Sequence, residues 1–382
     1  MAFHFHYRPD LVEPADRYRV LTADPGARRG LAGRMPQLDG LRGIAALGVV
    51  ATHTWFPFGL LGQWRVKLFF VLSGYLICGI LLRGRTLRQR GEVTTGHFLK
   101  IFYARRALRL LPPLVLTILV SRIVNFPMGE SIWWHLGQAT NIFVATTSSW
   151  GAGSLNHLWS LNIEEQFCLV FPVVLLMAPD GYIVPLLVSM VAAEPLYELA
   201  GSVLGWNSVT ISVLAPAFLG SFCVGGFLAA MRWRRIEVPF LGPAALVSLA
   251  LVLTIAWLAG AGHGAWERTT ILGEFAMNLL LGAVVALAAR SMAGWPWLLL
   301  ESSPLVALGR ISYGLFLYHL PVTGVVLRLR LHFHADPLPY GPQQFAIVLA
   351  LSLVLAALSY RFLEAPLELR KTTLRYASSD AR

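Results

Sequence analysis

Ten stretches of this 382-residue chain are long and apolar enough to cross a bilayer, and this constrains the fold more than any other feature. They cover approximately 40–60, 67–83, 108–125, 160–178, 181–204, 210–231, 239–260, 270–289, 305–327 and 343–363. Inside hydrocarbon every backbone N–H and C=O must find a partner within the protein, which leaves helices or closed barrels. Windows of this length select helices. Hydrophobic residues make up 56% of the chain and charged ones only 13%, too few to coat a soluble protein of this size. The expected fold is an all-α, polytopic helical membrane protein with about ten transmembrane helices.

The basic residues orient those helices. With the N-terminus in the cytoplasm, 24 Lys and Arg fall on inner segments and 6 on outer ones (Arg65, Lys67, Arg122, Arg268, Arg328 and Arg330), the bias of the positive-inside rule. Ten spans then leave both termini cytoplasmic. The net charge of +11 is thus a membrane-orientation signal rather than the footprint of a nucleic-acid binder. Cys78, Cys168 and Cys223 lie in apolar runs without paired spacing, so neither a disulfide framework nor a zinc site is indicated, and no metal is expected. The leading segment is arginine-rich and lacks the apolar core of a signal peptide. The expected organisation is a flexible cytoplasmic extension over 1–36, a transmembrane domain over 37–366 and a cytoplasmic tail over 367–382. Gly96 to Leu111 is expected to lie along the inner surface before entering the bilayer, and the lysine- and arginine-free loop from Asn125 to Asn156, with Trp133, Trp134 and Trp150, to face the outer interface or a substrate.

Two ionisable residues stand inside the first span. Arg42 and His53 are eleven residues apart, so they share nearly the same helix face and are separated by roughly 16 Å along the axis. Intramembrane ionisable groups usually mark function, and this pair suits a long substrate with an anionic head and a reactive end that reaches a base within the bilayer. Topology places His53, Ser73, Glu164 and His319 in the outer half of the membrane, while Arg42, Arg105, Arg106 and Arg109 gather at the inner surface.

Each of these has a plainer reading. Arg42 alone would be explained by snorkelling to headgroups, and Asp39 by an N-cap. Ser73-Gly74 reads as a small-residue contact between helices, and Arg105, Arg106 and Arg109 as topology determinants. Glu165 is expected to be solvated. Glu194 and Glu274 are intramembrane carboxylates without an assigned role.

Six ordered blocks then give the chain a resemblance. Leu38-Asp39-Gly40-Leu41-Arg42-Gly43 with His53 resembles the opening signature of the acyltransferase 3 family of integral membrane acyltransferases. The likeness continues through Phe69 to Ile77, Phe102 to Pro112, His157 to Phe167, Ile311 to His319 and Ser359 to Glu364. Phe316, Tyr318, Cys168 and Ala365 depart from residues common at those positions. The chain resembles the stand-alone branch, without the extracytoplasmic domain fused to some relatives.

The resemblance implies transfer of an acyl group, commonly acetyl, from cytoplasmic acyl-CoA to a hydroxyl of a carbohydrate or related acceptor, at the plasma (inner) membrane. On that reading Arg42, Arg105, Arg106 and Arg109 hold the anionic end of the donor. His53 is the general base and Glu164 orients it. Ser73, Tyr75, Trp159, Tyr313 and His319 shape the substrate pocket. The competing readings are a transporter or flippase for a glycan or lipid-linked sugar, using His53, Arg42 and Glu164 as intramembrane polar groups, and a non-catalytic membrane subunit. The absence of two-fold internal similarity and the one-sided basic cluster argue against transport.

Overall fold

The computed structural model describes residues 35–56, 63–124, 126, 131–150, 153–260, 266–371, 374 and 376, and no strand occurs among them. The helices, in chain order, are α1 (Pro36–Thr54), α2 (Trp64–Gln89), α3 (Thr95–Ile123), α4 (Ser131–Leu136), α5 (Thr140–Thr147), α6 (Leu158–Met177), α7 (Ile183–Val203) and α8 (Ser208–Val213). They continue as α9 (Leu219–Trp233), α10 (Leu241–Gly260), α11 (Trp266–Ala289), α12 (Trp295–Leu300), α13 (Ser303–Arg310), α14 (Ser312–His332), α15 (Pro342–Ser359) and α16 (Ala365–Lys371). Proline sits at the first turn of α1, α12, α13 and α15, where its missing N–H costs nothing.

Among the described residues, eight helical stretches are long and apolar enough to cross a membrane, the longest being Pro342–Arg370. The chain is therefore an all-α polytopic membrane protein. Two of the ten expected spans, those near 40–60 and 108–125, fall short of that apolarity. α1 carries Asp39, Arg42, His53 and three glycines, and α3 carries Lys100, Arg105, Arg106 and Arg109 along its first half. The expected surface element Gly96–Leu111 is not separate. It is the first half of α3, which starts at the Thr94 cap and runs unbroken through Pro112 and Pro113 for 29 residues. The expected span 210–231 is broken between α8 and α9 by a 3₁₀ turn at Ala215–Phe218 containing Pro216. The segment 57–62 that would complete the first span, and the leading 1–34, lie outside the described residues.

Close helix contacts set the frame. A Cβ on Gly74 would stand 1.9 Å from the carbonyl oxygen of Phe222, and one on Gly225 would stand 2.1 Å from that of Val71, so α2 and α9 meet backbone to backbone. The small-residue reading of Ser73-Gly74 therefore holds for the glycine. Phe70, Phe167, Phe171 and Phe222 form a stacked aromatic core between α2, α6 and α9.

Charges are buried in the same bundle. Lys67, expected on the outer side, is fully buried, with Nζ 2.8 Å from Oε1 of Glu194 and 3.3 Å from Oε2 of Glu274. Glu194 also accepts from Asn278 Nδ2 at 2.7 Å and from the Ser221 backbone N–H at 3.2 Å. A buried ammonium is tolerated only with such partners. Glu194 and Glu274 thereby acquire a role, joining α2 to α7 and α11. Arg85, counted as an inner-loop charge, is likewise buried and donates to the carbonyls of Leu175 and Ala178 at 2.6 Å each and to the carboxylate of Asp180.

Candidate active site

α1, α2, α3, α6 and α14 enclose a cavity of about 450 Å³ whose wall includes Arg42, Ser73, Arg105, Arg109, Glu164 and Tyr313. A second cavity of about 260 Å³ adjoins it, sharing Arg42, Leu76 and Arg109 and adding Asp39, Arg310 and Glu368. Basic residues therefore line one continuous region. Arg310 was read only as an inner-segment charge and Glu368 had no assigned role, because nothing local in the chain tells that they share a cavity with Asp39 and Arg42 of α1.

The four arginines singled out do different things. Arg106 is locked into the wall: Nε lies 3.1 Å from both oxygens of Glu165, and Nη2 lies 2.6 Å from Glu165 Oε1 and 3.1 Å from Glu164 Oε1. Its Nε and Nη2 donors are engaged by carboxylates, and Glu165 is paired rather than solvated. Arg105 lies over the ring of Tyr376, 5.0 Å from its centroid, which brings a residue of the expected tail into the cavity wall. Burial pushes the Tyr376 phenol up from its ordinary pKa, more than Arg105 pulls it down, so the ring stays neutral and leaves the guanidinium charge uncancelled. Arg42 makes only a loose pair with Asp39 at 3.7 Å. Arg109 faces both cavities.

Glu164 does not touch His53. It accepts from Ser73 Oγ at 2.8 Å and from Arg106, which places Ser73, Glu164 and Arg106 at one depth. The expected division between an arginine layer inside and a Ser73–Glu164 layer farther out therefore does not hold for Arg106. It assumed that Arg106 precedes the third span, whereas Arg106 lies well within α3.

The partner of His53 is His319. Nε2 of His319 lies 3.0 Å from Nδ1 of His53, and Nδ1 of His319 lies 2.6 Å from the carbonyl oxygen of Phe316. His319 is fully buried. A third ring, His157, stands edge-on to His319 with centroids 4.9 Å apart. It was part of a recognisable block but carried no assigned role, since only the packing of the segment just before α6 against α14 brings it to the pair. Neither His53 nor His319 lines the cavity itself. The cavity ends at Val49 and Phe316, which precede them by four and three residues, about one helical turn.

Three expected pocket residues are otherwise engaged. Tyr313 lines the cavity, but its hydroxyl donates to the carbonyl of Leu110 at 2.7 Å, bracing α14 against α3. Tyr75 is turned to α9, where Arg232 Nη1 donates to its hydroxyl at 2.8 Å. Trp159 packs between Trp150 and Phe218 rather than on the cavity. The block around Glu164 has a second face. Asn162 Oδ1 accepts from the Thr140 N–H at 2.8 Å, and Gln166 exchanges amide hydrogen bonds with Asn141, which ties α5 to α6. Two of the block's residues therefore fix the expected outer loop while Glu164 and Glu165 face Arg106.

O-acetyltransferase OatA of Staphylococcus aureus strain NCTC 8325 is 26% identical over 365 residues, covering 87% of this chain and 57% of its own length. A putative O-acetyltransferase of S. aureus strain MSSA476 is 27% identical over 377 residues with the same coverage. The chain thus spans a little over half the length of these curated relatives. No solved structure matches. The sequence model of the acyltransferase domain (Acyl_transf_3) matches residues 35–361, a region holding the cavity arginines, the Arg106 clamp and the three histidines, and the chain belongs to that family.

Proposed function

We propose that this protein is a membrane-bound O-acyltransferase that moves an acyl group, in the first instance acetyl, from acyl-CoA to a hydroxyl of a carbohydrate acceptor. The observation that carries the reading is a cavity that begins among Arg42, Arg105 and Arg109 and ends one turn from the His53–His319 pair. A donor with a polyanionic head, a long thin arm and a terminal thioester matches that shape and polarity. The relatives' names as O-acetyltransferases support acetyl as the group carried.

In this reading Arg42, Arg109 and Arg105 hold the phosphates, entering from the cytoplasm, and Arg310 extends the basic surface. The arm lies along Leu76, Phe102 and Leu110. His53 takes the proton of the acceptor hydroxyl as its oxygen attacks the thioester carbonyl. The tetrahedral intermediate collapses with cleavage of the C–S bond, and the thiolate leaves and recovers the proton from His53. The balance is ester plus CoA thiol. Glu164, Ser73 and Arg106 keep the wall in shape. Residues 37–366 form the acyltransferase unit of a plasma-membrane protein with both ends in the cytoplasm.

The test uses the protein in proteoliposomes with labelled acetyl-CoA and envelope oligosaccharides as acceptors. Label should pass to the oligosaccharide with equimolar release of CoA. Movement of the oligosaccharide across the bilayer without CoA release would instead make this a transporter.

A further inference from the structure

Two carbonyls of α14 dictate where the protons of three imidazoles sit. A carbonyl oxygen only accepts, so the 2.6 Å contact between Phe316 O and His319 Nδ1 requires the hydrogen on that nitrogen. In neutral His319 the other nitrogen, Nε2, is then a bare lone pair. It lies 3.0 Å from Nδ1 of His53, so with His319 neutral the hydrogen on that contact comes from His53, whose ring also reaches the carbonyl of Val49. His53 is thus the Nδ1–H tautomer, with Nε2 unprotonated. The same logic fixes the third ring. Pro321 lacks an N–H and leaves the carbonyl of Leu317 without its helical donor, and His157 Nε2 lies 3.3 Å from that oxygen. His157 donates there, and its bare Nδ1 is buried without a partner. The polar contacts of these rings are carbonyls and imidazoles, with no carboxylate among them, so a buried imidazolium at His319 or His157 would go uncompensated. The other ionisable group facing the pair is Arg65 of α2, also a cation.

We propose that His319, held by the Phe316 carbonyl, is the positioning residue that sets the tautomer of His53 and so makes Nε2 of His53 the atom that receives the acceptor's proton. The inference rests on the reading of His53 as the base and deepens it. When Nε2 takes the proton, the Nδ1–H of the resulting imidazolium is already aimed at the lone pair of His319, and that hydrogen bond strengthens with the charge. A neutral imidazole thus fills the place that a carboxylate holds in triads, without adding a buried negative charge.

The decisive measurement is ¹⁵N NMR of histidine-labelled protein in bilayers, with His53→Ala and His157→Ala difference spectra to assign the rings. The expected result is a protonated Nδ1 and bare Nε2 at His53, and the same at His319. Kinetics with acetyl-CoA as the probe, read as CoA released, complete it. His319→Ala should lower kcat by roughly 10²–10³-fold while leaving KM for acetyl-CoA within about threefold. His319→Gln, whose side-chain carbonyl still accepts from Nδ1–H, should recover most of that loss. A hydrogen on Nε2 of His53 in the wild-type spectrum, or a Gln variant no better than Ala, overturns the proposal. Full turnover by His53→Ala would instead sink the base assignment while leaving the observed tautomers standing.

Discussion

Arg106 and Glu165 bolt α3 to α6: Nη2 and Nε of one guanidinium reach the same carboxylate at 2.6 and 3.1 Å, while Nη2 also reaches Glu164 at 3.1 Å. One cation thus serves two adjacent carboxylates, of which Glu164 lines the main cavity. Replacing it leaves two half-buried negative charges side by side. Arg106→Gln is expected to cost about 2–4 kcal/mol of stability. Thermal unfolding in detergent measures this, and adding Glu165→Gln should return part of the loss. An additive double variant would remove the clamp from the account.

Arg109 differs from Arg106 in leaving its guanidinium toward the two cavities. Arg109→Gln and Arg42→Gln should each raise KM for acetyl-CoA by about 10- to 100-fold, since a charge-assisted contact to phosphate is worth roughly 1.5–3 kcal/mol, with little change in melting temperature. Dephospho-CoA should narrow the gap between variant and wild type if the lost contact is to the 3′-phosphate. Titration of both donors against both proteins decides it.

His53→Ala removes the proposed base and the donor to Nε2 of the buried His319, at a cost of about 1–3 kcal/mol of stability. Turnover of the folded protein should fall about 10²–10⁴-fold. Single-turnover rates with acetyl-CoA measure the chemistry directly. Retained rates would move the chemistry to another group.

Lys67 tests the burial argument at a residue outside the cavity wall. Lys67→Met leaves Glu194 and Glu274 without their ammonium and should destabilise by about 3–5 kcal/mol. Glu194→Gln added to it should restore a substantial part, because the amide still accepts from Ser221 N–H and needs no counter-charge. Unfolding curves of the three variants give the coupling energy.

The helices were readable because bilayer thickness and backbone hydrogen bonding leave a chain of this composition few alternatives. Eight of the expected windows coincide with helical stretches apolar enough to span. Polar residues were the harder part to read: Gly96 to Leu111, taken as a separate surface element, is continuous with the third span in α3, and within that helix Arg106 pairs with Glu164 and Glu165. Lys67 was assigned to the outside by the same reasoning, which cannot see Glu194 on α7. Pro216 carried a usable signal for the break between α8 and α9 that the apolar window masked.

By itself the sequence determined the all-α membrane class, the family blocks and the residue types that converge, since these depend on hydropathy and on patterns within one segment. It could not pair those residues. Which carboxylate faces which arginine, and that His53 leans on His319 rather than on Glu164, depends on the rotation of each helix about its axis, fixed by contacts between distant segments such as Gly74 on Phe222 and Gly309 on Asp39. A side chain's neighbours across a bundle are a property of packing, and only the tertiary structure records it.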